Sequence, residues 1–140
     1  MFIWLFINIP VPGIVTPEPK DSPRVYVFDK NDDLFLITGS PGGSDIPAAI
    51  LRVITGVIDF NLDIGEATML PRIHKDWPYT GLEHERAVSR DIVRRLNGMG
   101  HKTEYENTIG STQSIHILDG TNYGFADLRR PNAGVSVQTN

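Results

Sequence analysis

Thr38-Gly39-Ser40-Pro41-Gly42-Gly43-Ser44 lies between two runs of contrasting periodicity. Before it, Leu34-Phe35-Leu36-Ile37 is a short apolar run that predicts a buried strand. After it, Ile46, Ile50, Val53, Ile54, Val57 and Ile58 recur with helical period, predicting a helix from about Asp45 to Asp59. The glycine stretch is therefore a strand-to-helix turn. Pro41 fixes one φ angle, and Gly42 and Gly43 open conformations closed to other residues. Ser44 stands where an N-cap is expected. Such a turn can hold an anion, because the first amides of a helix lack partners and the dipole favours negative charge.

Two familiar phosphate loops do not fit. No lysine follows Gly43, as a Walker loop requires, and the G-x-G-x-x-G spacing is absent. The residues alone leave two readings open, a plain glycine-rich connector or an anion-binding turn.

Working outward, Val25 to Phe28 is a second strand, joined to Leu34–Ile37 through the polar loop Asp29–Asp33 as a hairpin. Asp63 and Glu66 have the spacing of a variant capping box for a short second helix, which Pro71 ends. Pro71 to Gly81 reads as a packed connector in which His74 is hydrogen-bonded. Leu82 to Glu85 is expected to be an edge strand. Ser89 caps a third helix with Ile92, Val93, Leu96 and Met99 on one face, Gly100 at its C-terminal end, and Arg90, Arg94 and Arg95 on a basic face. Strands follow at about 101–106, 111–118 and 122–127, the last two joined by the hairpin turn Asp119-Gly120.

At 140 residues with 40% hydrophobic content the chain can form one domain with a real core. A formal net charge of −4 argues against a general nucleic-acid binder. With no cysteine there is no disulfide framework, no thiolate nucleophile and no thiolate metal site. The four histidines do not cluster in sequence, so neither metal nor cofactor is expected. Met1 to Ile9 is apolar but shorter than the ~20 residues of a membrane span, and it lacks the basic start and small-residue site of a signal peptide. Residues 1–23, with a proline-rich second half, are expected to be irregular, and 131–140 to be a disordered tail.

Four motifs, in order, resemble the γ-glutamyltranspeptidases, also called glutathione hydrolases. Thr38–Ser44 matches their T-G-S-P-G-G-S. Glu66-Ala67 followed by Pro71-Arg72-Ile73-His74 resembles E-A…P-R-F/I-H. Gly110-Ser111-Thr112-Gln113-Ser114-Ile115 resembles G-S-T-Q-S-I. Tyr123-Gly124-Phe125-Ala126-Asp127-Leu128-Arg129 resembles the terminal Y-G-A-S/A-D-P-R, with Leu128 in place of proline. The resemblance covers about 25–130 and implies a small-subunit-like domain over 24–130. It implies an α/β (α+β) fold, part of the αββα sandwich of the N-terminal-nucleophile (Ntn) hydrolases, with a mostly antiparallel sheet and helices packed on it. In that family a precursor cuts itself, and a new N-terminal threonine attacks a γ-glutamyl amide such as that of glutathione. The γ-glutamyl ester then passes to water, an amino acid or a peptide. The resemblance puts the oxyanion-binding backbone amides on Gly42 and Gly43, with Ser40, Pro41 and Ser44 in support, in a concavity beside the turn.

Departures from the pattern shape the functional expectation. No segment resembles the nucleophile region, and Pro19-Lys20 stands in place of a serine pair that helps hold the glutamyl carboxylate. The chain is expected to be a C-terminal part of the small subunit. It would be inactive alone and would depend on the large subunit and the rest of the small subunit as partners. The alternative is a non-catalytic anion-binding or interaction domain derived from the same fold. Family members are often periplasmic, secreted or at the cell surface, but the sequence assigns this chain no compartment.

Overall fold

A computed structural model of the chain describes Ile3–Trp4, 23–78 and 81–136. The irregular segment expected over residues 1–22, apart from Ile3–Trp4, and the disordered tail expected over 137–140 lie outside the described residues. Ile3–Trp4 forms a short strand, β1, paired antiparallel with β2 (Arg24–Phe28). The hairpin β2–β3 (Leu34–Gly39) forms as expected, with Tyr26 opposite Ile37. Its loop is built by Asp29, whose carboxylate accepts hydrogen bonds from the Asn31 and Asp33 amides at 2.8 and 3.0 Å. This local pattern is the reason aspartate favours turns.

β3 pairs with β7 (Gln113–Leu118), and β7 with β8 (Thr121–Ala126), giving an antiparallel five-stranded sheet ordered β1-β2-β3-β7-β8. Asp119 and Gly120, at φ 50° and 74°, make the tight turn between β7 and β8. On one face of this sheet, Val25, Val27 and Leu36 pack with Ile50, Val53, Ile54 and Val57 of α1 (Ile46–Ile58) and with Ile64 and Ala67 of α2 (Ile64–Met69). The capping box is complete. The Asp63 carboxylate accepts from the Glu66 amide at 2.8 Å, and the Glu66 carboxylate accepts from the Asp63 amide at 3.2 Å. The opposite sheet face carries Tyr26, Ile37 and Ile115 in register, with Ile117 two residues on. The three isoleucines there are only half-buried.

The remaining strands form a separate three-stranded sheet, β4 (Ile73–His74), β5 (Gly81–His84) and β6 (Lys102–Tyr105). β5 is its central strand and not an edge. Its polar residues suggest an edge, but β5 and β6 run parallel and are joined over α3 (Arg90–Gly98) by a crossover that places β5 between two partners. Ser89 caps α3, its hydroxyl accepting from the Ile92 amide at 3.3 Å, and Gly100 follows the helix at φ 91°. The apolar stripe of α3 is divided. Val93 and Leu96 are half-buried, while Ile92 and Met99 are exposed. Over 131–136 the chain is not regular, but Val135 lies over Gly124, where an added Cβ would stand 2.9 Å from it. The fold is α+β, a mostly antiparallel assembly with helices on one face of the larger sheet.

Candidate functional site

The glycine turn leaves β3 at Gly39 and enters α1 through a single 3-10 turn, Gly43–Asp45. Gly42 lies at φ 139° and Gly43 at φ 65°, both in the region that side chains rarely adopt. Among the described residues, no carbonyl or side chain accepts a hydrogen bond from either amide.

Ser44 does not cap the helix. It sits inside the 3-10 turn, and the residue at the cap of α1 is Asp45, in helical conformation and without a side-chain cap bond. The reason is that short i to i−3 bonds already occupy the amides a cap would serve. Asp45 donates to the Gly42 carbonyl and Ile46 to the Gly43 carbonyl, while Pro47 has no amide hydrogen to satisfy. Ser44 instead helps to hold the Asp76 carboxyl below its usual range. Gly42, Gly43 and Ser44 are exposed, and a Cβ placed on Gly43 would meet nothing within 4 Å.

Behind the turn the packing is tight. The buried Ser40 hydroxyl donates to the Pro41 carbonyl at 2.8 Å and accepts from the Ser111 amide at 2.9 Å. Gly110, at φ 66°, presses against this point. A Cβ there would lie 2.7 Å from Ala49 Cβ and 2.9 Å from Ser40 Oγ. A Cβ on Gly42 would lie 3.5 Å from Gly110 Cα.

The segment holding Gly110 is in turn fixed by buried charge. The Arg72 guanidinium, 1% exposed, donates to the carbonyls of Ile109, Gly110 and Thr68 at 2.9, 3.2 and 3.0 Å. It also donates to Thr112 Oγ1 and, at 2.8 Å, to Asp127. Asp127 accepts from the Thr112 and Arg129 amides and from the Arg129 guanidinium. Glu85 receives Arg129 in a two-pronged pair at 2.8 Å and accepts from the amides of Arg72 and Ile109. Two cations and two anions thus balance, and most of their remaining valences go to backbone groups, Arg72 Nε being a buried donor without a partner among the described residues. Burial alone would push the Asp127 carboxyl up, but the Arg129 amide and the charges of Arg72 and Arg129 outweigh it and hold it below the usual range.

Three of the four sequence motifs therefore meet here, through Arg72, Gly110–Thr112 and Asp127–Arg129, behind the fourth. Spacing does not reveal this network. Glu85 in particular gives no signal beyond a carboxylate at a strand end.

A second cluster lies beside the turn. One ligand atom each of Asp45, His74 and Glu83 lies within 4.8 Å of the others, an assembly hidden by their separation in sequence. His74 Nε2 is 2.8 Å from Asp76 and 3.6 Å from Asp45. The Asp45 carboxyl is pushed up by burial, with His74 opposing and the charges of Asp76 and Glu106 adding to the rise. Burial, then the Asp45 charge, does the same to Glu83. Asp76, half-buried, is held down by Ser44 and by its bond with His74.

Known proteins align with this arrangement. The family described as Gamma-glutamyltranspeptidase matches residues 22–137. The glutathione hydrolase proenzyme of Escherichia coli (strain K12) is 39% identical over 114 residues, covering 81% of this chain and 19% of that protein. The glutathione hydrolase proenzyme of Bacillus subtilis (strain 168) is 34% identical over 123 residues, covering 86% of this chain and 21% of that protein. The chain thus spans about a fifth of the length of these curated relatives. A crystal structure of Helicobacter pylori gamma-glutamyltranspeptidase superimposes with a TM-score of 0.71 at 33% identity, covering 84% of this chain and 66% of that one.

Proposed function

Because the chain belongs to the γ-glutamyltranspeptidase family, with part of its Ntn-hydrolase fold, we propose that it supplies the oxyanion-binding turn for γ-glutamyl transfer. The substrates are γ-glutamyl compounds such as glutathione, and the acceptor is water, an amino acid or a peptide. The observation that carries this reading is the pair of adjacent amides on Gly42 and Gly43, exposed residues at positive φ, without partners among the described residues.

A nucleophilic hydroxyl attacking the γ-carbonyl forms a tetrahedral centre whose oxygen takes up negative charge. Two preorganised N–H donors aimed at that oxygen stabilise the transition state more than the substrate. The rigid backing of Ser40, Gly110 and the Arg72 network keeps the donors in place, so little reorganisation is needed during reaction. Collapse of the intermediate expels the amine and leaves the γ-glutamyl ester, which the acceptor then cleaves. In this proposal the nucleophile comes from outside the chain, from the rest of the small subunit, and the large subunit completes the walls of the site.

The test is release of a chromophore from a γ-glutamyl anilide. This chain alone should give no release above buffer, because no acyl-enzyme forms without the nucleophile. Supplied with the rest of the small subunit and the large subunit, it should turn over. Turnover by the chain alone that is lost on mutating one of its own residues would overturn the division of labour. Saturable binding of glutamate or phosphate to an assembly that never turns over would favour an anion-binding domain.

A further inference from the structure

A shallow groove runs between the loop after β5, helix α3 and strand β6, and it includes no residue of the glycine turn. Three arginines line it, Arg86, Arg90 and Arg94, in a chain whose formal net charge is −4. Arg90 and Arg94 are one helical turn apart on α3, and Arg86 lies in the loop before it. Arg94 is held by Asp91. Among the described residues, Arg86 and Arg90 make no ion pair. His84, Val88 and Val93, all half-buried, and the Tyr105 ring, 54% exposed, complete the lining.

The shape constrains the ligand. Small-molecule sites enclose most of their ligand, whereas this groove lies open along its length. Residues one helical turn apart stand about 6 Å from each other, close to the roughly 7 Å between alternate residues of an extended chain. A strand with carboxylates at alternate positions would therefore meet Arg90 and Arg94, with Arg86 in the adjoining loop as a further cation. Its intervening apolar side chains would be left to the valines and the tyrosine. Nucleic acid fits less well, because a single exposed aromatic offers little stacking and the chain as a whole is acidic. We propose that this groove docks an extended acidic peptide segment of a partner protein.

The experiment is fluorescence anisotropy of a labelled peptide alternating glutamate with leucine and phenylalanine, titrated with the 140-residue chain. Binding should be saturable, should weaken severalfold as salt is raised, and should be lost when glutamine replaces glutamate. The double variant Arg86→Glu/Arg90→Glu should weaken it by about tenfold or more. Both side chains are exposed, and circular dichroism would confirm that the variant folds. Arg52→Glu, on the exposed side of α1, should leave binding unchanged. The proposal is overturned if the double variant binds like the parent, or if Arg52→Glu weakens binding equally. It is also overturned if a single-stranded oligonucleotide displaces the peptide at concentrations below those of the peptide itself.

Discussion

Gly43 and Gly110 have nearly the same φ, 65° and 66°, but opposite surroundings. Alanine at Gly43 meets open space, so its cost is the backbone term, about 1–2 kcal/mol. Alanine at Gly110 carries that term and also collides with Ala49 Cβ and Ser40 Oγ, adding roughly 1–3 kcal/mol. Urea melts of the two variants should separate by this margin. Equal losses would mean that Gly110 does not wedge the turn. Asp127→Asn should be worse than either at neutral pH, about 3–5 kcal/mol, because it leaves Arg72 and Arg129 with one carboxylate between them. The Asp127 carboxyl is held below its usual range in the folded chain. Its contribution is therefore complete above the unfolded value and is lost as pH falls through the folded one. The parent's advantage over Asp127→Asn should shrink steadily on acidification below about pH 4. An advantage that persists unchanged in acid would contradict the assignment.

At the scale of elements, local signals were legible where one segment dictates its own shape. Leu34–Ile37, the helix beginning near Asp45, the Asp63/Glu66 box and the Asp119-Gly120 turn all follow from neighbours within a few residues. The central place of β5 was not legible, because it depends on a parallel partner reached only through α3. Nor was the 3-10 entry to α1, where short-range bonds displaced the cap expected of Ser44. Gly56 shows the same limit. In isolation it is a weak point in a helix that alanine would improve by about 0.5–1 kcal/mol. In the structure an added Cβ would lie 2.9 Å from Ala67 Cβ, where α1 crosses α2. Gly56→Ala should therefore lower the melting temperature, and a rise would show that the helices can part without loss.

For the whole molecule, the four motifs named the family, but only the fold showed why they belong together. Three of them build the charged support, and the fourth is the turn it holds. The carboxylate of Glu85 and the gathering of Asp45, His74 and Glu83 come from long-range contacts that sequence spacing does not encode. The larger sheet is covered by helices on one face, while Ile37, Ile115 and Ile117 are only half-buried on the other. A sandwich buries such a face against a second sheet. The isolated chain should therefore self-associate, and Ile115→Lys should shift it toward monomer in light scattering. A parent chain that stays monomeric at high concentration would count against this face being an interface.

The central claim is that the Gly42 and Gly43 amides stabilise an oxyanion. Neither amide donates a bond among the described residues, so replacing the Gly43 N–H by an ester oxygen removes a donor without disturbing the fold. In the assembled enzyme this single-atom change should lower kcat for γ-glutamyl anilide by about 10²–10³ while leaving KM nearly unchanged. An ester variant with the parent's kcat would contradict the account.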